Sequence, residues 1–173
     1  QFGDDVIHDV DREGLAAGEE VKCSLDYEKR YKLMRMHTSA HLMAAIVNRE
    51  YGALITGNQL GEQQTRMDFD APQFTKEKIP EVEAKANEVI ARDLPVSISL
   101  EGREKAMQRP ELFRLKDVLP KDLQVFRILA IGDFDVQADG GTHVKATSEI
   151  GRVKIVDMKN KGAENRRIYW ELK

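Results

Sequence analysis

His37 and His41 stand four residues apart, and a hundred residues later comes Asp139-Gly-Gly-Thr-His143; three of the four histidines lie in these two places. On a helix, residues at i and i+4 share a face, with Cβ atoms about 6 Å apart. Two imidazole nitrogens so placed can converge on one cation, and a pair from a distant segment can complete a four-ligand set. The adjacent glycines Gly140 and Gly141 allow backbone geometries that turn Asp139 and His143 toward one point. Three imidazoles and a carboxylate suit tetrahedral zinc, and equally manganese, iron or nickel, since no thiolate selects a softer metal. A metal so held lowers the pKa of a bound water, polarises an ester carbonyl, or holds a substrate hydroxyl. Read plainly, the same residues are a helix face and a loop after a strand. His8, in a strand-like stretch, reads as a surface residue.

The elements that must position these groups follow from periodicity and punctuation. Residues 27–50 predict a helix, with Asp26 as N-cap, Leu33, Met36, Ala40, Met43, Ala44 and Val47 at helical spacing, and Gly52 as terminator. Residues 54–70 predict strands around Gly57-Asn58-Gln59-Leu60-Gly61. A second helix is expected over 76–93, with Thr75 as its cap and Pro80 in its first turn. Strands are expected at 96–100, 124–136, 152–158 and 166–172, with a short helix at 101–108 and an irregular stretch holding Pro110 and Pro120. Ahead of them, residues 5–26 predict a small strand pair from Val6-Ile7 and the alternating Val21, Cys23 and Leu25. The order favours α+β: helices on one face of a mostly antiparallel curved sheet, with an N-terminal β remnant.

The chain has 173 residues, 41% apolar and 33% charged, enough for one sizeable core. No apolar run approaches the roughly 20 residues of a spanning helix. A net charge of −3 argues against indiscriminate nucleic-acid binding but not against recognition of an RNA end. Lys29, Arg30, Lys32 and Arg35 form one basic cluster; Arg152, Lys154, Lys159, Lys161, Arg166 and Arg167 form another. Each reads as a solvated face or as a phosphate contact. The single cysteine, Cys23, fits a reducing, cytoplasmic setting. The start at Gln1-Phe2-Gly3-Asp4 reads as an N-terminally trimmed chain.

His37-Thr38-Ser39-Ala40-His41-Leu42 resembles the HxxxH motif of the alanyl-tRNA editing domain. That domain occurs within alanyl-tRNA synthetase and as free-standing AlaX proteins, with a relative in threonyl-tRNA synthetase. Ala138-Asp139-Gly140-Gly141-Thr142-His143 followed by Thr147-Ser148-Glu149-Ile150-Gly151 resembles the second motif, usually Cys-Gly-Gly-Thr-His and Thr-x-Glu-Ile-Gly. Gly57-Asn58-Gln59-Leu60-Gly61 with Arg66-Met67-Asp68-Phe69 is similar to the segment between them, and Gln1-Phe2-Gly3-Asp4 to the tail of a Gly-rich GGGQPxD motif. The resemblance spans nearly the whole chain, in order.

It implies a trans-editing deacylase that hydrolyses the ester joining serine, or glycine, to the 3′ adenosine of alanine tRNA. Residues 1–26 would then be the remnant of an N-terminal β-barrel domain and residues 27–173 the editing domain. It further implies one zinc ion on His37, His41, Asp139 and His143, with His37, His41 and His143 as the catalytic histidines. Asp139 stands where the family has cysteine, which leaves other divalent metals open. Thr56 would read the serine hydroxyl, Gln59 would position water or the terminal ribose, and Gly140 and Gly141 would border the substrate. The partner would be the CCA end and acceptor stem of mischarged tRNA(Ala), and the protein a monomer or weak dimer away from membranes. The alternatives are a metal-dependent hydrolase of another small ester or amide, and a non-catalytic tRNA-binding module.

Overall fold

The computed structural model describes residues 7–115 and 123–173. The expectations resting on Gln1-Phe2-Gly3-Asp4, Val6 and Pro120 lie outside them. The architecture is α+β: helices pack against antiparallel sheets. Among the described residues there are two sheets where one was expected, a four-stranded one and a three-stranded one.

Helix α1 runs Tyr27–Tyr51. Asp26 caps it by accepting from the Lys29 N–H at 3.0 Å, and Gly52 ends it in the left-handed conformation, φ 67°. From Thr38 to Val47 every α1 residue is buried, polar ones included. The helix is therefore a central element, more enclosed than a single apolar stripe implies. It packs on α2 (Ile79–Ala91) and touches strands of both sheets. Small residues at Ser39, Ala40, Ala44 and Ala45 let those neighbours approach.

The four-stranded sheet has the order β1-β2-β7-β6, with β1 Ile55–Gln59, β2 Thr65–Phe69, β6 Val153–Lys161 and β7 Asn165–Leu172. The three-stranded sheet is β3 (Val96–Gly102), β4 (Val125–Ile131) and β5 (Asp135–Ala138). A short helix, α3, covers Arg103–Met107. A 3-10 turn at Lys76–Lys78 precedes α2, and Thr75 supplies no side-chain cap; Pro80 lies in the first turn as expected.

The main core joins α1, α2 and both sheets through Leu42, Met43, Phe69, Phe74, Leu129, Ile168 and Trp170, each at most 1% exposed. Residues 7–26 carry no strand and are exposed throughout, so the predicted strand pair is absent among the described residues. Ile7, Val10, Leu15, Val21 and Leu25 there bury nothing, and alternation alone cannot hold a strand that has no partner.

The segment after His143 acts as a clamp. The Thr147 hydroxyl sits over the C-terminal carbonyls of α2, Val89 and Ile90, and accepts from the Leu94 N–H at 2.8 Å. Glu149 accepts from Lys145 N, Ala146 N and the Tyr31 hydroxyl. Arg35 donates twice to the Ile150 carbonyl, at 3.0 and 2.8 Å. The stretch that follows the turn thus ties it to the helix that carries the histidine pair. These bonds also occupy part of the first basic cluster: Arg35 is engaged here, Lys32 with Glu28 and Lys29 with Glu62. In the second cluster Arg167 grips Asp68 through two bonds, at 2.6 and 2.7 Å.

Candidate metal centre

The fold brings all four predicted ligands together. One nitrogen or oxygen from each of His37, His41, Asp139 and His143 lies within 4.8 Å of the others. The Nε2 atoms of His37 and His41 are 3.3 and 3.4 Å from Asp139 Oδ1, and His143 Nε2 is 2.9 Å from Asp139 Oδ2. Ligands on a tetrahedron around zinc, with bonds of about 2.0–2.1 Å, lie about 3.3 Å apart.

The environment sets the protonation of His143. Thr38 Oγ1 donates to the Met34 carbonyl at 3.0 Å, so toward His143 Nδ1, 3.2 Å away, it can only accept. The imidazole proton is therefore on Nδ1, and Nε2 offers a lone pair to the carboxylate. Two lone pairs at 2.9 Å repel unless a proton or a cation lies between them. Burial disfavours the proton: it pushes the His143 pKa down to about 4, against the raising effect of Asp139. For Asp139 burial acts upward, but the three imidazoles grouped around it, His143 first and then His37 and His41, outweigh burial and hold the carboxyl far below the ordinary range. A neutral, oriented imidazole facing a permanent carboxylate is the donor set a divalent cation requires. With one oxygen and three nitrogens it does not select zinc alone.

Because the fold holds the His143 pKa below its ordinary 6.5, the neutral imidazole favours the folded state. That stabilisation is complete above about pH 6.5 and is lost as pH falls toward 4. It amounts to about 3 kcal/mol for a shift of this size. Urea unfolding of metal-free protein at pH 7 and pH 4.5 should show the loss; equal midpoints would contradict this reading of His143.

The turn itself is built from backbone bonds. Asp139 Oδ2 accepts from the Gly141 N–H at 2.5 Å, and Arg127 donates to the carbonyls of Asp139 and Gly141 at 3.1 and 2.6 Å. The His37 ring packs directly on the Gly141 Cα: a Cβ there would meet His37 Cε1 at 2.2 Å and Nδ1 at 2.5 Å. Gly141→Ala should displace the His37 ring and weaken metal binding about 10- to 100-fold, the scale of lost ligand support. A competitive chelator titration measures it; unchanged affinity would show that the ring yields without cost.

A cavity of about 410 Å³ opens beside the four ligands, within the roughly 300–1,000 Å³ typical of small-molecule sites. His37, His41, Asp139 and Gly140 line it together with Asn58, Arg114, Arg127 and Gln137, among apolar residues that include Ile55, Leu60, Met67, Leu112, Phe113 and Phe126. Gly140 lines the cavity, and both backbone groups of Gly141 are used inside the turn.

Thr56 and Gln59 are turned away from this space. The register of β1 against β2 shifts between Ile55 and Gly57, so Thr56 occupies a bulge. Beyond it the alternation inverts: Ile55 pairs with buried Phe69 and Asn58, itself exposed, with buried Met67, while Gln59 pairs with Arg66. Thr56 is exposed and donates to Asn165 Oδ1 at 3.1 Å; Gln59 accepts from Arg66 Nε at 3.0 Å. Asn58 faces the cavity in their place. Thr38, Asn58, Arg114, Arg127 and Gln137 are site residues that motif spacing did not reveal. Only the bulge and the long-range pairings bring them in.

Comparison with known proteins agrees with this geometry. Residues 126–169 match the threonyl and alanyl tRNA synthetase second additional domain, a stretch that holds Asp139 and His143. The chain is 42% identical over 177 aligned residues to the alanyl-tRNA editing protein AlaX-M of Methanosarcina barkeri, covering 99% of this chain and 73% of that protein. The chain belongs to the AlaX family of alanyl-tRNA editing proteins. AlaX-M of Saccharolobus solfataricus is 36% identical, over 98% of this chain and 71% of its own length. The family's likeness to synthetases shows too: the alanine–tRNA ligase of Pyrobaculum aerophilum is 34% identical over 90% of this chain, which is 18% of that enzyme.

Proposed function

We propose that this chain deacylates mischarged tRNA(Ala) in trans, hydrolysing the ester that joins serine, and secondarily glycine, to the terminal adenosine. The observation that carries it is the convergence of His37, His41, Asp139 and His143 at the mouth of an apolar cavity, in a chain whose relatives are alanyl-tRNA editing proteins. His37, His41, Asp139 and His143 would hold the metal, zinc in the first instance. When bound it supplies a Lewis acid that polarises the ester carbonyl or acidifies a water.

The protein's own groups do the rest. Thr38 keeps the His143 proton on Nδ1, away from the reacting side. The Gly141 N–H holds the Asp139 carboxylate, and Arg127 holds the backbone carbonyls of Asp139 and Gly141. The Asn58 amide, rather than Thr56 or Gln59, is the polar group on the cavity face of β1 and reads the serine hydroxyl. A site that hydrogen-bonds a substrate hydroxyl discriminates against the analogue lacking it, because the protein partner is then left unpaired. Correctly charged alanine is thereby spared. The partner is the 3′ CCA end and acceptor stem of the tRNA.

Incubation with seryl-, glycyl- and alanyl-tRNA(Ala) tests the reading. Rapid loss of serine with alanine retained is expected. Retention of all three esters by metal-loaded protein would overturn it, and tRNA binding without release would favour the non-catalytic module.

A further inference from the structure

Two arginines line the cavity beside the four ligands, and they differ in what they leave free. Arg114 is closed. Its side chain is 10% exposed, Nη2 donates to Asp135 Oδ1 at 2.5 Å, and Nε and Nη1 are sealed from solvent. Arg127 is open. Its Nη1 donates to the carbonyls of Asp139 and Gly141 at 3.1 and 2.6 Å, which fixes the guanidinium against the turn that presents Asp139 and His143. Nε and Nη2 have no hydrogen-bond partner among the described residues, yet neither is among the donors sealed from solvent, and the side chain is 28% exposed. The Nε–H and Nη2–H bonds run parallel along one edge of the guanidinium, the fork that matches an oxyanion bidentately.

The location selects the ligand. Asp139 Oδ2 is 3.8 Å from Nη1, beyond hydrogen-bond distance, and that carboxylate is already committed to the Gly141 N–H and to three imidazoles. The charge of Arg127 is therefore not consumed by a direct ion pair. On the sheet, Arg127 of β4 stands opposite Leu100 of β3 and two residues from Val125, so the three side chains share one face. Leu100 is 73% exposed and Val125 52%. Arg127 thus marks the rim of the site, whereas a reacting ester must reach the four ligands further in. A rim cation with a free fork suits a permanent, partly hydrated oxyanion. In the substrate proposed above, the permanent anion nearest the ester is the phosphodiester that precedes the terminal adenosine, one ribose away.

We propose that Arg127 is a substrate-binding residue whose Nε–H and Nη2–H grip the phosphodiester immediately 5′ of the terminal adenosine. This rests on the deacylase reading, which supplies that phosphate. One edge of the guanidinium holds the ligand turn and the other holds the RNA backbone, so a single side chain sets the distance between the two.

The probe is the trinucleotide CCA with a non-hydrolysable 3′-serylamino group, made with either a phosphodiester or a neutral methylphosphonate at its last linkage and bound to metal-loaded protein by calorimetry. Wild-type protein should bind the phosphodiester form about tenfold more tightly, the scale of a charge-assisted hydrogen bond. Arg127→Gln should bind the two forms alike. Because Arg127 also holds the turn, a second variant leaves it in place. Leu100→Glu sets a carboxylate on the neighbouring strand, with Cβ atoms about 5 Å apart, where it competes for the fork. It should remove most of the preference for the charged linkage, while Leu100→Gln keeps it. Metal content should be unchanged in both Leu100 variants, and should Arg127→Gln lose its metal, Leu100→Glu decides alone. A preference that is absent from wild type, or that survives in Arg127→Gln or Leu100→Glu, overturns the proposal. Slower single-turnover deacylation by Arg127→Gln with the preference intact places the guanidinium on the ester and likewise overturns it. Failure of wild-type protein both to bind either probe and to deacylate seryl-tRNA would bring down the deacylase reading with it. Deacylation by a protein that does not distinguish the probes brings down this proposal alone.

Discussion

His37→Ala is expected to lower the deacylation of seryl-tRNA(Ala) by at least about a thousandfold, a loss of about 4 kcal/mol of transition-state stabilisation. His37 Nε2 is 3.3 Å from Asp139 Oδ1, and its ring is the surface on which the Gly141 backbone rests. Removing it takes one of the four proposed ligands and unseats the turn that presents two others. The fold should survive. The side chain is one-fifth exposed, it sits inside the 25-residue helix α1, and alanine is the best helix former. Single-turnover deacylation, metal content and a thermal melt, read together, separate lost chemistry from lost structure. Wild-type turnover with an unchanged melt would refute the assignment of this residue.

Trp170→Ala should cost about 3–5 kcal/mol of stability, as large-to-small changes at buried aromatics do. The whole protein should have only about 5–15 kcal/mol to lose. Trp170 is fully buried on β7, between Thr65 of β2 and Ile155 of β6. Its Nε1–H donates to Ser39 Oγ at 2.9 Å, and Ser39 donates to the Met36 carbonyl at 2.7 Å. Ser39 lies between the two histidines of α1, so the indole is the contact through which the four-stranded sheet sets the height of that helix. Trp170→Phe keeps most of the volume and forfeits only the N–H, about 1 kcal/mol. Urea denaturation of both variants gives the comparison. A loss below about 1 kcal/mol in the alanine variant would mean that the core does not close around this residue.

Much of this architecture was legible along the chain because the relevant physics is local. Asp26 and Gly52 bound α1 because a cap is a matter of a few consecutive backbone groups. The i, i+4 spacing of His37 and His41 and the tight Asp139–His143 turn each depend only on their own segment. The strands expected at 152–158 and 166–172 pair as a hairpin for the same reason. The site's remaining members answer to other forces. Thr56, which the family resemblance made the reader of the serine hydroxyl, lies in a bulge of β1 and is exposed, and Asn58 lines the cavity. Arg35 read as part of a solvated face or a phosphate contact, and a carbonyl more than a hundred positions away claims it. Val21, Cys23 and Leu25 alternate as a strand should, and without a neighbouring strand to pair with, residues 7–26 form no strand.

The sequence by itself therefore determined which groups this protein has for its chemistry and how each short stretch would present them. Only the tertiary structure decided that the two histidine-bearing stretches share a centre, which tautomer His143 takes, and which side chains face the cavity beside it. Dihedral preference and capping act over a turn or two of chain. Convergence, protonation and strand register are set by groups that become neighbours only when distant segments pack.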